Sequence, residues 1–212
     1  TRKGTNTTLR KLKIQEIIPL TIQGEGFNVG TPCSFIRLFG CPVGCYFCDT
    51  GYASNEGQLP DYKEMEIDEI KAELQSENVV ITGGEPFVNP NFAFLLLELG
   101  EKTVGIETSG IKYSDALTDE WITLSPKEHL NKKAPVDRQI AQRANELKLI
   151  VSEESDFGHY SGLVQQFKKQ NKPVYVQPEW SKMSQCLDML IELANKNDVK
   201  LSLQTHKLIG VR

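Results

Sequence analysis

Short apolar runs rich in Ile, Val and Leu recur along the chain, each bounded by Gly, Pro or polar residues. KIQEIIPL, SFIRLFG, NVVIT, TVGIET, WITLS, LKLIVS, PVYVQ and VKLSLQT read as strands, since β-branched runs of this length between turn residues favour extended backbone. Between several of them the apolar spacing lengthens to three and four. IDEIKAELQ puts Ile67, Ile70 and Leu74 on one helical face, and NFAFLLLELG, RQIAQRANEL, GLVQQFKKQ and SQCLDMLIELANK read as further helices. Strands alternating with helices predict βα units around a mainly parallel sheet.

A closed eight-fold barrel takes about 250 residues. This chain has 212, and the stretch from Thr103 to Leu124 leaves little room for a helix. The expected fold is therefore α/β: a partial, incomplete TIM-type barrel formed by a single domain over residues 1–212, with 1–11 flexible. In such folds ligands meet the carboxyl ends of the strands. Polar motifs sit at those ends: CPVGCYFCDT after SFIRLFG, TGGEP after NVVI, ETSG after VGI, SPK after ITL, QPEW after VYV, and QTHK near the end. Together they predict one shared mouth.

Hydrophobic residues make up 39% of the chain and charged residues 25%, with a net charge of −4. That balance offers no overall basic field to attract nucleic acid, so a small substrate is expected. No apolar run reaches the roughly 18–20 residues that span a bilayer. The leading TRKGTNTTLRKLK lacks an apolar core and does not read as a secretory signal. A cytoplasmic, reducing setting is expected, in which clustered cysteines serve metal or redox chemistry rather than disulfides. Of the five cysteines, Cys33 and Cys186 stand apart and read as small buried hydrophobes.

Cys41, Cys45 and Cys48 fall within GCPVGCYFCDT in a CxxxCxxC pattern. A structural zinc site takes four ligands, commonly as two CxxC pairs, and no second pair is present. His129 and His159 have no ligand-like spacing. Three thiolates suit a [4Fe–4S] cluster with one iron left open for a small chelating cofactor. Pro42 and Gly44 suit a backbone wrapped closely around such a group. A cysteine-rich loop with adventitious zinc is the alternative.

CxxxCxxC with Phe47 before its last cysteine resembles the signature of the radical S-adenosylmethionine (SAM) superfamily. The resemblance implies a partial barrel of the radical SAM kind, with the cluster held by the three thiolates and the methionine part of SAM on its open iron. Reductive cleavage of SAM then releases a deoxyadenosyl radical. TGGEP, from Thr82 to Pro86, resembles the superfamily's second motif, in which Gly84 and Glu85 meet the SAM amino group.

QGEG, FIRLFGC, CDT, TGGEP, ETSG, SPK, VQP and LQTHKLIGVR together resemble the 7-carboxy-7-deazaguanine synthases along nearly the whole chain. This resemblance implies conversion of 6-carboxytetrahydropterin to 7-carboxy-7-deazaguanine with loss of ammonia, on the route to queuosine. It implies SAM, the cluster and Mg²⁺ as cofactors, an electron donor such as flavodoxin, and a homodimer.

That chemistry asks for particular groups. The pterin's guanidine-like edge of N–H donors needs acceptors, which Ile22, Gln23, Gly24 and Glu25 offer. Read alone, QGEG is also a plain Gly-rich turn. Arg37, entering the cysteine loop, suits the substrate carboxylate, or else faces solvent. The family pattern makes Thr50 the Mg²⁺ ligand; otherwise Asp49 and Thr50 cap a turn.

For SAM, the resemblance carries over Gly84, Glu85, Ser125, Pro126, Lys127, Gln177, Pro178, Glu179 and Trp180, with Glu107, Thr108 and Ser109 held less firmly. Thr82 and Arg212 would touch substrate. His206 has an ordinary alternative as a packed, hydrogen-bonded residue. Two rival readings remain open: a glycyl-radical-enzyme activase, and a non-catalytic iron–sulfur or zinc module that binds RNA.

Overall fold

The computed structural model describes residues 11–51 and 61–211. Residues 1–10, expected to be flexible, and Arg212, expected to touch substrate, lie outside them. Lys11 does not belong to a flexible leader: it already stands in a strand opposite Glu66.

In chain order the strands are β1 (Lys11–Ile22), β2 (Pro32–Leu38), β3 (Lys63–Glu66), β4 (Asn78–Gly83), β5 (Thr103–Thr108), β6 (Trp121–Leu124), β7 (Glu146–Val151), β8 (Val174–Pro178) and β9 (Lys200–Leu201). The helices are α1 (Ile67–Glu73), α2 (Phe92–Leu99), α3 (Arg138–Arg143), α4 (Glu154–His159), α5 (Ser161–Lys169), α6 (Met183–Asn197) and α7 (Thr205–Ile209). The nine strands form one sheet in the order β3-β1-β2-β4-β5-β6-β7-β8-β9. From β2 to β9 every pairing is parallel, whereas β1 runs antiparallel to both β2 and β3. The ends of that order, β3 and β9, do not pair with each other, so the barrel stays open. No helix separates β5 from β6.

Side chains alternate across a strand, and here the alternation separates apolar from polar. Ile36 and Leu38 of β2, Val79 and Ile81 of β4, Val104 and Ile106 of β5, Ile122 and Leu124 of β6, and Leu147 and Leu149 of β7 join one core with the helices. The helices contribute Ile70, Leu95, Ile140, Phe167 and Leu190, each essentially without solvent contact. Burying one such side chain stabilises the fold by roughly 1.5–3 kcal/mol. The intervening positions face the concave side: Arg37, Thr82, Glu107, Lys148 and Gln177 all line one cavity there.

Several elements escaped the periodicity. KEME has no apolar alternation; β3 exists because it pairs with β1, and its charges suit a sheet edge. The helical reading of RQIAQRANEL runs too far, since α3 stops at Arg143 and Glu146 opens β7. VKLSLQT yields only the two-residue β9, after which the chain turns into α7. The short α4 buries Phe157 alone and is set by a capping box between Glu153 and Asp156.

Candidate active site

A cavity of about 240 Å³ opens at the carboxyl ends of the parallel strands. Cys41, Cys45 and Cys48 line it together with the polar residues of the concave face. The loop that carries them is shaped by Gly40 (φ 105°) and Gly44 (φ 68°), values that residues with a Cβ rarely adopt. Its Val43 side chain is buried, and the Val43 carbonyl accepts a hydrogen bond from Asn131 Nδ2 at 2.9 Å. As free thiols, Cys41 is pushed up to about 11 and Cys45 upward, mainly by burial. A bound cation reverses that preference, because coordination deprotonates a thiol.

Among the described residues no three His, Cys, Asp or Glu side chains converge on one ion. Three soft thiols lining one cavity suit an iron–sulfur cluster that leaves one iron open. Cys33 and Cys186 are buried away from the loop; burial and Glu107 push Cys33 up to about 12. His129 bonds Tyr160 (Nδ1 to the hydroxyl, 2.7 Å) and stands outside the cavity lining.

TGGEP closes directly onto this loop. Gly84 N–H donates to the Leu38 carbonyl at 2.9 Å and Glu85 N–H to the Gly40 carbonyl at 2.8 Å. A Cβ on Gly84 would lie 1.9 Å from the Gly40 oxygen, and one on Gly83 2.2 Å from the Leu38 oxygen. The glycines therefore let the TGGEP backbone pack directly onto the backbone of the cysteine loop, and as a cradle Gly83 and Gly84 line the cavity beside the cysteines. Glu85 turns inward: its carboxylate accepts from Thr108 Oγ1 (2.7 Å), Ser109 N (2.8 Å), Ser109 Oγ (2.5 Å) and Phe87 N (3.3 Å). Burial raises its pKa, and these bonds oppose the rise. Glu85 thus ties TGGEP to ETSG and does not line the cavity.

The opposite wall collects charge from distant parts of the chain. The Lys148 ammonium bonds the Glu25 carboxylate and lies 3.6 Å from Glu107 Oε2. Glu25 also accepts from Gln204 Nε2 at 2.7 Å, and Glu107 from Gln23 Nε2 at 3.0 Å. Burial would push Glu25 upward, but the charge and bonds of Lys148, with bonds from Gln204 and Gln177, hold it at about 2. Lys148 is buried, which favours its neutral form, yet the two carboxylates raise its pKa above the usual lysine range. Arg37 lines the same cavity, with its Nε 3.4 Å from Glu16.

The remaining expected residues divide. Ile22, Thr50, Thr82, Ser125, Lys127, Gln177, Pro178, Glu179 and Trp180 line the cavity. Thr50 Oγ1 lies 3.0 Å from Cys48 Sγ, and Lys127 Nζ is held by the Ser125 carbonyl (2.5 Å) and hydroxyl (2.7 Å). Glu179 accepts from Ser181, whereas Trp180 is 37% exposed with Lys207 Nζ 5.2 Å from its ring centre.

Gly24 and Pro126 are not on the lining. The Gly24 carbonyl accepts from Thr205, and a Cβ at Gly24 would meet His206 Nδ1 at 2.0 Å. Sequence reasoning missed Lys148 and Asn131, and brought Gln204 to the mouth only as part of QTHK, without a role. For Lys148 a signal existed, since it is the lone charge between two fully buried leucines of β7, Leu147 and Leu149.

An open, mostly parallel β/α sheet with a three-thiol loop and a glycine cradle at one mouth defines a radical SAM protein, and residues 35–131 match the Radical SAM superfamily. The chain is 34% identical over 203 residues to the 7-carboxy-7-deazaguanine synthase of Flavobacterium psychrophilum, covering 92% of this chain and 93% of that one. It is 31% identical over 215 residues to the 7-carboxy-7-deazaguanine synthase of Escherichia coli, covering 90% and 95%. The crystal structure of QueE from Escherichia coli matches the fold with a TM-score of 0.75 at 27% identity, over 95% of this chain and 99% of that one. The chain belongs to the 7-carboxy-7-deazaguanine synthase family of radical SAM enzymes. No helix among the described residues is long and apolar enough to cross a membrane.

Proposed function

We propose that this chain is a 7-carboxy-7-deazaguanine synthase, a carbon–nitrogen lyase that contracts the ring of 6-carboxy-5,6,7,8-tetrahydropterin to 7-carboxy-7-deazaguanine with loss of ammonia, in queuosine biosynthesis. One observation carries this reading: a single cavity presents three thiols, a glycine cradle, the acceptors Glu25 and Glu107, and the cation Arg37. A carboxylated pterin carries the complement, an edge of N–H donors and an anionic carboxylate. When bound, the cluster and SAM supply hydrogen-abstracting radical chemistry that no side chain provides.

The protein's part is to bind and orient. Cys41, Cys45 and Cys48 hold the cluster. Gly84 lets SAM approach the backbone, with Ser125, Pro126, Lys127 and the segment Gln177 to Trp180 around it, while Glu85 braces the turn from behind. Gln23 and Glu25, flanked by Ile22 and Gly24, take the donor edge of the pterin. Arg37 and Thr82 meet its other groups, and Arg212 is assigned to the substrate by the family pattern alone. Thr50 would offer a hydroxyl oxygen to Mg²⁺, a hard cation that takes few protein ligands. The chain acts as one domain, as a homodimer, in a reducing cytoplasm, with an electron donor such as flavodoxin.

Anaerobic reconstitution tests the reading. About four irons per chain are expected, and incubation with carboxytetrahydropterin, SAM, Mg²⁺ and reductant should yield the deazapurine and ammonia. Cluster-loaded protein that cleaves SAM but leaves the pterin intact would exclude the assignment.

A further inference from the structure

Lys148 has no role in the reading above, yet it is 3% exposed and sits between two carboxylates in the cavity wall. Its partners come from different segments: Glu25 follows β1, and Glu107 lies in β5. Each carboxylate has a second, neutral partner, Gln204 for Glu25 and Gln23 for Glu107. The other charged groups that act on this ammonium are Glu146 on its own strand and Lys127 farther along the cavity, while His206 lines the same cavity and acts on Glu25 and Glu107. Glu146 is taken up by Thr123 Oγ1 (2.5 Å) and Phe27 N (2.8 Å), so it does not compete for the substrate side.

Two carboxylates brought together away from water do not both stay ionised without a counter-charge; one takes up a proton. A protonated carboxyl is a donor at one oxygen, the wrong partner for a donor edge. With one lysine between them, both remain acceptors and the wall keeps one net negative charge. Such a wall attracts N–H groups and turns a substrate carboxylate away, toward Arg37.

We propose that Lys148 is a positioning residue for the substrate: its ammonium spans Glu25 and Glu107 so that both face the pterin's donor edge as acceptors. The proposal rests on the pterin reading above. Its consequence is that this lysine-bridged pair adds no pH dependence to substrate affinity across the neutral range.

Equilibrium dialysis of carboxytetrahydropterin against the reconstituted holoprotein tests it, with SAM and Mg²⁺ present and reductant withheld so that nothing turns over. The wild-type Kd should be flat from pH 6 to 8.5. Lys148→Met should bind about tenfold more weakly at pH 6 than at pH 8, and adding Glu107→Gln should flatten the profile again. Lys148→Arg should keep it flat. Where Lys148→Met does not fold, Lys148→Gln is expected to show the same slope. A flat profile with unchanged Kd in the charge-neutral variant overturns the proposal. So does the folding of Lys148→Met only when combined with Glu107→Gln, since the lysine then serves the fold alone. Wild-type protein that binds no pterin instead overturns the functional reading.

Discussion

The α-carbon of Gly84 faces the Gly40 carbonyl so closely that a single added methyl would lie 1.9 Å from that oxygen. The turn at the end of β4 and the start of the cysteine loop are thus in backbone-to-backbone contact, sealed by the Glu85 N–H to Gly40 carbonyl bond of 2.8 Å. Neither side is a flexible side chain that can swing away.

Gly84→Ala should therefore separate the two loops. A loss of about 1–3 kcal/mol of stability is expected from overpacking, together with reduced iron content after reconstitution. Chemical denaturation and iron analysis check both. An alanine variant with wild-type iron and stability would show that the turn yields easily.

Asn131 reaches from the loop after β6 to the Val43 carbonyl, between two of the cysteines. Asn131→Ala removes one neutral hydrogen bond, worth about 1 kcal/mol net. The fold should survive, and the cluster should be lost to a chelator several-fold faster than in wild type. Iron release followed by absorbance measures this, and an unchanged rate would mean that the tie does not steady the loop.

The Thr50 hydroxyl is the oxygen proposed for Mg²⁺, and it now rests against Cys48 Sγ. Thr50→Val keeps the shape but loses the oxygen, and should raise the Mg²⁺ concentration for half-maximal turnover about tenfold or more. Thr50→Ser should restore it. Titration of turnover with Mg²⁺ distinguishes the two.

Glu25 is held at about 2, below its usual 4.5, with Lys148 the main stabilising partner against burial. A carboxylate with a depressed pKa contributes stability above its unfolded value, and that contribution fades as pH falls from about 4.5 toward 2. Glu25→Gln should lower stability by roughly 1–3 kcal/mol at pH 7, with the gap to wild type narrowing as pH falls below about 4.5 and closing only toward pH 2. Glu85 and Glu146, raised mainly by burial, shift the opposite way, so the comparison is between variant and wild type at each pH. Urea unfolding across pH 3–7 reads the difference; a constant gap would contradict the coupling to Lys148.

Most of the sheet was legible because backbone geometry imposes its own period. LKLIV alternates buried leucines with inward-facing residues, and that pattern alone announces a strand. β3 and α7 were not legible, since neither buries a residue and each depends on what it rests against. At the site, the three cysteines were readable from spacing and the TGGEP glycines from the family resemblance, as both are confined to short stretches. Glu85 is placed by the structure behind the turn, held by Thr108 and Ser109, twenty-three and twenty-four residues away. No local pattern announces that turn inward.

By itself the sequence determined the alternation of apolar and polar faces, the mainly parallel order and the cysteine loop, because each follows from periodicity or spacing within a few residues. Only the tertiary structure decided which charges meet. Lys148 is 123 residues from Glu25, and Gln204 is 179 from it. Their encounter depends on the order in which strands line up in the sheet, a consequence of whole-chain packing that no short stretch encodes.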